Sequence, residues 1–311
     1  MERFYSLDSA SHRPTVVALG CFDGVHLGHA AVIGETRRQA QACNVACAVW
    51  TFAEPPRNFF APRSVPLLTD QESKGCLIEE LGADLFFCVP FDETVCNMTA
   101  ESFFEEILRK RMQACHLVCG YNYTFGAKGT GNVSLLRTLC DSHGVGLTVL
   151  PPVTVDSVTV SSSLIREKIE QGDPSTAATW LGRPYFLSAP VVDGQHLARK
   201  LGFPTVNQLF PSFLTVPRAG VYATRVTLPD SSEPLYGISN VGIRPTVKSN
   251  ILCCETHIFD YVGDLYQKTV KVEFLSFLRP EQKFSSLEAM SEQVRRDMQA
   301  VRNFLSNEVI R

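Results

Sequence analysis

TVVALGCFDGVHLGHAAVIGETRRQA, Thr15 to Ala40, decides how the rest of the chain is read. An apolar, β-branched run from Val16 to Leu19 ends at Gly20. Gly24 and Gly28 break the following segment. Ala30, Ala31, Val32 and Ile33 then lead to Arg37 and Arg38 with amphipathic helical spacing. Strand, glycine loop and helix form the first half of a βαβ unit. Such a loop offers backbone N–H groups and a helix N-terminus to an anion. His26 and His29, three apart at the expected helix start, lie on the same side of the first turn. Their imidazoles can donate to phosphate oxygens already attracted by the helix dipole, and Gly28 permits close approach. FDG before the histidines, and a strand before that, favour a phosphate site over two incidental surface histidines.

Outward from that stretch, alternating strands and helices are expected. Strands are predicted at Val45–Phe52, Asp84–Phe91, His116–Gly120 and Gly146–Leu150. Helices are predicted at Asp70–Leu81, at Ala100–Met112 after a Thr99 cap, and around Leu135–Leu139. The segment AEPPRNFFAPRSVP reads as a proline-rich loop. This order implies a Rossmann-like parallel sheet with helices on both faces, with ligands at the carboxyl ends of the strands. The loop GYNYTFGAKGTG, Gly120 to Gly131, also lies at such an end. It holds four glycines, Lys128 and three aromatics. Its backbone and lysine suit phosphate, and its rings suit a planar ligand. In TVSSSLIREKIEQGD, Ser161, Ser162 and Ser163 with Arg166 describe a further anion-binding helix start.

After GRPY (Gly182–Tyr185) the periodicity changes, and the domain boundary is drawn there, giving residues 1–182 and 183–311. Short strands at Val191–Val192, Gly220–Val226, Tyr236–Val241, Glu255–Phe259 and Val270–Phe274 predict an antiparallel barrel. A helix from Leu287 to Leu305 closes the chain, with Met290, Val294, Met298, Val301 and Leu305 on one stripe. In LGFPTVN (Leu201–Asn207), Thr205 and Asn207 are two apart, so they share one face of an extended strand and offer hard oxygens for Mg²⁺.

Composition sets the outer bounds. A chain of 311 residues accommodates two domains, and 45% hydrophobic with 20% charged residues is ordinary for a globular protein. The net charge of −3 argues against a nucleic-acid surface. No apolar run reaches the ~20 residues of a membrane span, and the N-terminus lacks a signal-type apolar region, so a cytoplasmic protein is expected. Eleven cysteines then read as reduced thiols, mostly small hydrophobes inside strands, and not as a zinc site.

GCFDGVHLGH resembles the GxFDGVHxGH signature of the bacterial bifunctional riboflavin kinase/FAD synthetases, a group within the HxGH nucleotidyltransferases. Further resemblances cover almost the whole chain: Gly120, Asn122, Tyr123, Phe125 and Gly126 to a G-x-[DN]-[FY]-x-FG loop; the Ser161 segment to [IV]SSTxIR, with Ser163 for Thr; LGFPTVN to a PTAN motif; NVGIRPT (Asn240–Thr246) to N-x-G-x-RPT. The Glu255–Phe274 segment and the terminal helix match as well. The resemblance implies an α/β FMN adenylyltransferase domain followed by a β-barrel riboflavin kinase domain with a terminal helix. It implies that ATP phosphorylates riboflavin to FMN and that a second ATP adenylylates FMN to FAD. His26, His29, Asn122 and Arg166 would stabilise charge in adenylyl transfer, and Glu255 would be the kinase base. Gly20, Phe22, Asp23, Gly24, Gly28, Ser161, Ser162, Ser163, Gly194, Lys200 and Gly202 would meet ATP or phosphate. Tyr123, Phe125, Asn240 and Arg244 would meet flavin, and Thr205 and Asn207 would meet Mg²⁺. Partners are small molecules, with neither nucleic acid nor membrane.

Two departures stand out. Ala198 occupies a position where the family's phosphate loop has Gly, and AEPPR replaces a PHP triplet. The first leaves open a monofunctional adenylyltransferase with an impaired kinase half. Another HxGH transferase and a non-catalytic flavin-binding regulator are the remaining readings.

Overall fold

The structure, a computed structural model, describes residues 1–194, 202–229, 231, 233–245 and 250–309. For 244, 245, 250, 251 and 307–309 it describes the backbone alone. The chain divides into two compact units, Met1–Ser162 and Ser163–Arg311.

The first unit runs β1 (Glu2–Phe4), β2 (Thr15–Leu19), α1 (Leu27–Cys43), β3 (Ala46–Phe52), α2 (Pro56–Phe60), α3 (Gln71–Glu80), β4 (Leu85–Val89) and α4 (Glu93–Asn97). Next come α5 (Ala100–Ser102), a π-helical segment (Phe103–Arg111), β5 (Ala114–Gly120), the hairpin β6 (Thr124–Phe125) and β7 (Gly131–Asn132), α6 (Val133–His143) and β8 (Gly146–Leu150). A second hairpin, β9 (Thr154–Val155) and β10 (Val158–Thr159), ends the unit. The main sheet is ordered β1-β4-β3-β2-β5-β8, and its pairings are parallel. All five residues of β2 are buried, which explains its continuous apolar run: a parallel strand covered on both faces has no polar side to show. Val17, Leu19, Ala48, Trp50, Phe87 and Leu117 build one face of the core with Phe103, Phe104, Ile107 and Leu108. Buried cysteines join it, and burial pushes the Cys47 and Cys119 thiols up to about 12.

Three features differ from the sequence expectation. β1 extends the sheet from a segment with no strand signal, because three residues are too few to show a period. The proline-rich loop contains α2, with Pro56 at the helix start where its missing N–H costs nothing. Phe103–Arg111 is wound as a π-helix, Met112 N–H reaching Ile107 O at 2.9 Å. Four apolar residues at i, i+1, i+4 and i+5 fit either winding, so periodicity could not separate them.

The second unit holds α7 (Ser162–Gln171, from its second residue on), α8 (Pro174–Leu181), β11 (Tyr185–Pro190), β12 (Val206–Leu209), β13 (Gly220–Thr227), β14 (Leu235–Pro245), β15 (Asn250–Ile258), β16 (Thr269–Arg279) and α9 (Leu287–Val309). The division falls earlier than the break at Gly182 because α8 buries Ala177, Trp180 and Leu181 while packing against β16 and β11. The sheet is antiparallel, ordered β11-β16-β13-β14-β15-β12, and a bridge between Val192 and Asn207 joins its two ends into a barrel. Its inward face is not wholly apolar. The Thr224, Ser239 and Thr256 hydroxyls form a row across three strands at 2.9 and 2.7 Å. α9 lies on the outer face through Val301, Met298, Phe304 and Leu305, over Val221, Ala223 and Ile238. The Asp297 carboxylate accepts from Arg279 Nη2 at 2.6 Å and from Gln293 at 2.8 Å, pinning the helix to β16.

Candidate active site

In the first unit the sheet order reverses at β2: β3, β4 and β1 lie on one side, β5 and β8 on the other. Ligands of open α/β sheets bind outside the carboxyl ends of the strands at such a switch point. Leu19 pairs with Cys119 there, so the loops opening at Gly20 and Gly120 are neighbours.

The Gly20 loop is tightly wound. Phe22 (φ 48°), Gly24 (φ 82°) and Val25 (φ 41°) are all left-handed. For Phe and β-branched Val that is costly, of order 1–3 kcal/mol each, and such strain survives only where surroundings over-determine it. Two devices supply this. The Phe22 ring lies over Gly20, where a Cβ would meet it at 3.0 Å. The buried Asp23 carboxylate accepts from Leu68 N–H at 2.9 Å and Thr69 N–H at 3.3 Å. Asp23 Oδ1 thus holds the loop to the segment before α3. Ser162 Oγ–H donates to Asp23 O at 2.9 Å.

His26 is not in the first helical turn, as its spacing predicts, but is the N-cap of α1, with extended backbone (φ −76°, ψ 174°). Its Nδ1 accepts from Gly28 N–H at 3.1 Å and His29 N–H at 3.3 Å. An accepting Nδ1 carries no proton, so Nε2 carries it and is a donor. The two imidazoles stack, centroids 3.5 Å apart and 16° from parallel, and Phe22 meets His29 edge-on at 5.3 Å. Gly28 is required by this arrangement: a Cβ there would lie 3.0 Å from the His26 ring.

In the Gly120 loop, Asn122 is exposed, as is Lys128 (φ 57°). The aromatics divide. Phe125 is buried against Phe103, ring centroids 6.0 Å apart, and belongs to the core. Tyr123 stacks on Phe125 at 5.7 Å and is half-buried, and burial pushes its phenol well above the ordinary value. Tyr121 is half exposed. Gly126 (φ 73°) has backbone specificity: a Cβ would strike Ala100 N at 2.6 Å. Gly126→Ala is expected to lower the stability of the first unit by about 2 kcal/mol, from left-handed strain plus this clash. A chemical-denaturation midpoint checks it. Ser161 is half-buried and Ser163 exposed at the start of α7, and Arg166 is a half-buried α7 residue of the second unit.

In the second unit, register places Asn240 opposite Glu255 and Glu255 opposite Asn207, on β14, β15 and β12. Directly paired residues of antiparallel strands project to one face, so the three form a polar row. They alternate with Ser239, Cys254, Thr256 and Gln208, which are buried inside the barrel. Asn207 is buried, its Nδ2 donates to Thr205 O at 3.4 Å, and the Gly194 backbone lies on its amide, where a Cβ would sit 2.4 Å from Nδ2. Gly202 (φ 85°) is left-handed, and among the described residues nothing lies within 4 Å of where its Cβ would be. Thr205 is half-buried. The sequence reading did not single out Glu281, yet its carboxylate accepts from Asn240 Nδ2 at 3.0 Å and rests against Gly242. Nothing in its local sequence marks it. Lys200 and Ala198, and the Arg244 side chain, lie outside the described residues. Among the described residues no group of three or more His, Cys, Asp or Glu could hold a metal ion, and no helix is long and apolar enough to cross a membrane.

Both halves of the chain resemble known proteins. Residues 8–164 match the FAD synthetase family and residues 181–305 the riboflavin kinase family. The bifunctional riboflavin kinase/FMN adenylyltransferase of Pseudomonas fluorescens is 34% identical over 94% of this chain and 93% of its own length. The Bacillus subtilis protein of the same name is 32% identical over 94% and 93%. A crystal structure from Streptococcus pneumoniae, described as a macrolide-efflux protein, superposes with a TM-score of 0.87 at 27% identity, covering 97% of this chain and 98% of that one. That description concerns the pneumococcal protein, whose likeness here is one of fold along the full length. With both halves matched in one polypeptide and relatives aligned end to end, the chain belongs to the bifunctional riboflavin kinase/FMN adenylyltransferase family.

Proposed function

We propose that the chain makes FAD in two steps. In the second unit, the riboflavin 5′-hydroxyl attacks the γ-phosphorus of ATP, giving FMN and ADP. In the first unit, an FMN phosphate oxygen attacks the α-phosphorus of a second ATP. The α–β phosphoanhydride bond breaks, and pyrophosphate leaves with its electron pair. No protein nucleophile is needed, so the residues work by orientation and charge. The observation that carries this reading is the capped histidine: the α1 amides fix His26 Nδ1 as acceptor, leaving Nε2–H as a donor beside His29 at the switch point. His26, His29 and Asn122 bind and polarise the triphosphate and the leaving group.

For the kinase step Glu255 takes the hydroxyl proton, and Asn240 and Asn207 flank it. Asn207 and Thr205 present amide and hydroxyl oxygens, hard donors that fit Mg²⁺. Two neutral donors do not make an all-protein cage, so Thr205 and Asn207 would hold Mg²⁺ only together with waters and nucleotide phosphates. When bound, it supplies charge neutralisation on the phosphates. The Gly194 backbone against Asn207 fixes that amide.

Chromatography of products from riboflavin plus Mg-ATP tests the reading. Both FMN and FAD are expected, with ADP and pyrophosphate as co-products. FAD formed only from supplied FMN would reduce the chain to a monofunctional adenylyltransferase. Neither product would leave a flavin-binding protein.

A further inference from the structure

α3 buries a lysine under the glycine loop. Lys74 is 1% exposed, and its ammonium donates to Phe52 O at 2.9 Å and to Cys21 O at 3.5 Å. These carbonyls lie at the end of β3 and in the loop after β2. Thr51 Oγ–H donates to the same Cys21 carbonyl at 2.7 Å. Among the described residues no carboxylate pairs with Lys74.

An ammonium buried without a counter-ion is expensive, and carbonyl dipoles offset only part of the cost. A pure packing role is met better by Met or Leu. The position of the charge supplies the missing reason. It lies directly behind the Cys21–Phe22 peptide, in a poorly polarisable interior where its field is weakly screened. Turning the Cys21 carbonyl toward α3 also turns the Phe22 N–H of that trans peptide away from α3. The same helix and its lead-in hold the loop at two further points: Leu68 and Thr69 N–H on Asp23, and Gly24 N–H on Thr69 Oγ1 at 3.3 Å.

We propose that Lys74 is a positioning residue of the adenylyl-transfer site. Its buried charge holds the Gly20–Gly24 loop in the polyphosphate-binding conformation and adds favourable potential for the triphosphate and for released pyrophosphate. The inference rests on the adenylyltransferase reading. If the bound polyphosphate is the counter-ion that Lys74 lacks, affinity for it is the quantity Lys74 controls.

The test uses the full chain, with inorganic pyrophosphate as calorimetric probe and FMN plus Mg-ATP as substrates. Lys74→Met is expected to weaken pyrophosphate binding and raise the KM for ATP at least tenfold. Its kcat stays within about threefold, and riboflavin phosphorylation, in the other unit, is unchanged. Thr51→Val, which removes the other bond to Cys21 O but no charge, is expected to change these by less than threefold. Wild-type pyrophosphate affinity in Lys74→Met, or an equal loss in Thr51→Val, overturns the proposal. Should Lys74→Met not fold, wild-type chain carrying ζ-¹⁵N lysine serves, with Lys74→Arg assigning the signal. The buried ammonium resonance must shift on adding pyrophosphate, and an unmoved resonance overturns the proposal. A wild-type chain that makes no FAD from FMN counts against the adenylyltransferase reading instead, and the pyrophosphate titrations still judge Lys74.

Discussion

His26→Asn is expected to fold with essentially parental stability and to lose FAD formation by about 10²- to 10³-fold, the usual cost of deleting one donor aimed at developing charge. The substitution separates two jobs that one ring performs. Nδ1 caps α1 by accepting from Gly28 and His29 N–H, and the opposite edge presents Nε2–H. An Asn Oδ1 is among the best cap acceptors and can take over the first job, but it places no imidazole N–H outward. His26→Ala loses both, so the same kinetic defect comes with about 1 kcal/mol of lost stability. FMN formation from riboflavin stays at the parental rate in both, because the kinase residues lie in the other unit. FAD formation within a factor of three of wild type in His26→Asn would refute the assignment of His26 to the triphosphate. A large stability loss in that variant would instead refute the cap as the reason for the tautomer.

Glu255→Gln is the complementary case. A positioned general base is worth about 10²- to 10⁴-fold, and riboflavin phosphorylation is expected to fall by that factor. Gln keeps the length and shape of the side chain beside Asn207 and Asn240, its cross-strand neighbours, so the barrel should be undisturbed. FAD formation from supplied FMN should not change. The readout is FMN release measured against FAD production in the same preparation. Undiminished FMN release would return Glu255 to the role of an ordinary strand carboxylate. Asn240 is tied to Glu281, so a partial effect on the riboflavin KM is expected from Glu281→Gln as well.

Much of this was legible before any coordinates. The buried run Val16–Leu19, the glycine breaks and the histidine pair specify strand, loop and helix by local rules, since an apolar run, a cap and a turn each depend on residues within a few positions of each other. Thr99 is readable as a cap for that reason, and its hydroxyl accepts the Ser102 N–H, three residues on. The PTVN and Glu255 segments declared a second site by their resemblance to known motifs.

Other features were out of reach because they join residues far apart in the chain. Asn240, Glu255 and Asn207 become one row only when strand register is set, and a one-residue slip would turn Glu255 to the opposite face. Phe125 looks like a binding-loop aromatic in sequence, yet the approach of Phe103 makes it core. Lys74 is buried because the Cys21 carbonyl, in the loop after β2, and the Phe52 carbonyl, at the end of β3, converge on it. The sequence by itself determined the two-part architecture, because composition, period and motif are local properties. Tertiary structure alone decided which nitrogen of His26 bears its proton, which aromatics are left for a ligand, and where the uncompensated ammonium lies. Each of these depends on the partner a group meets across the fold.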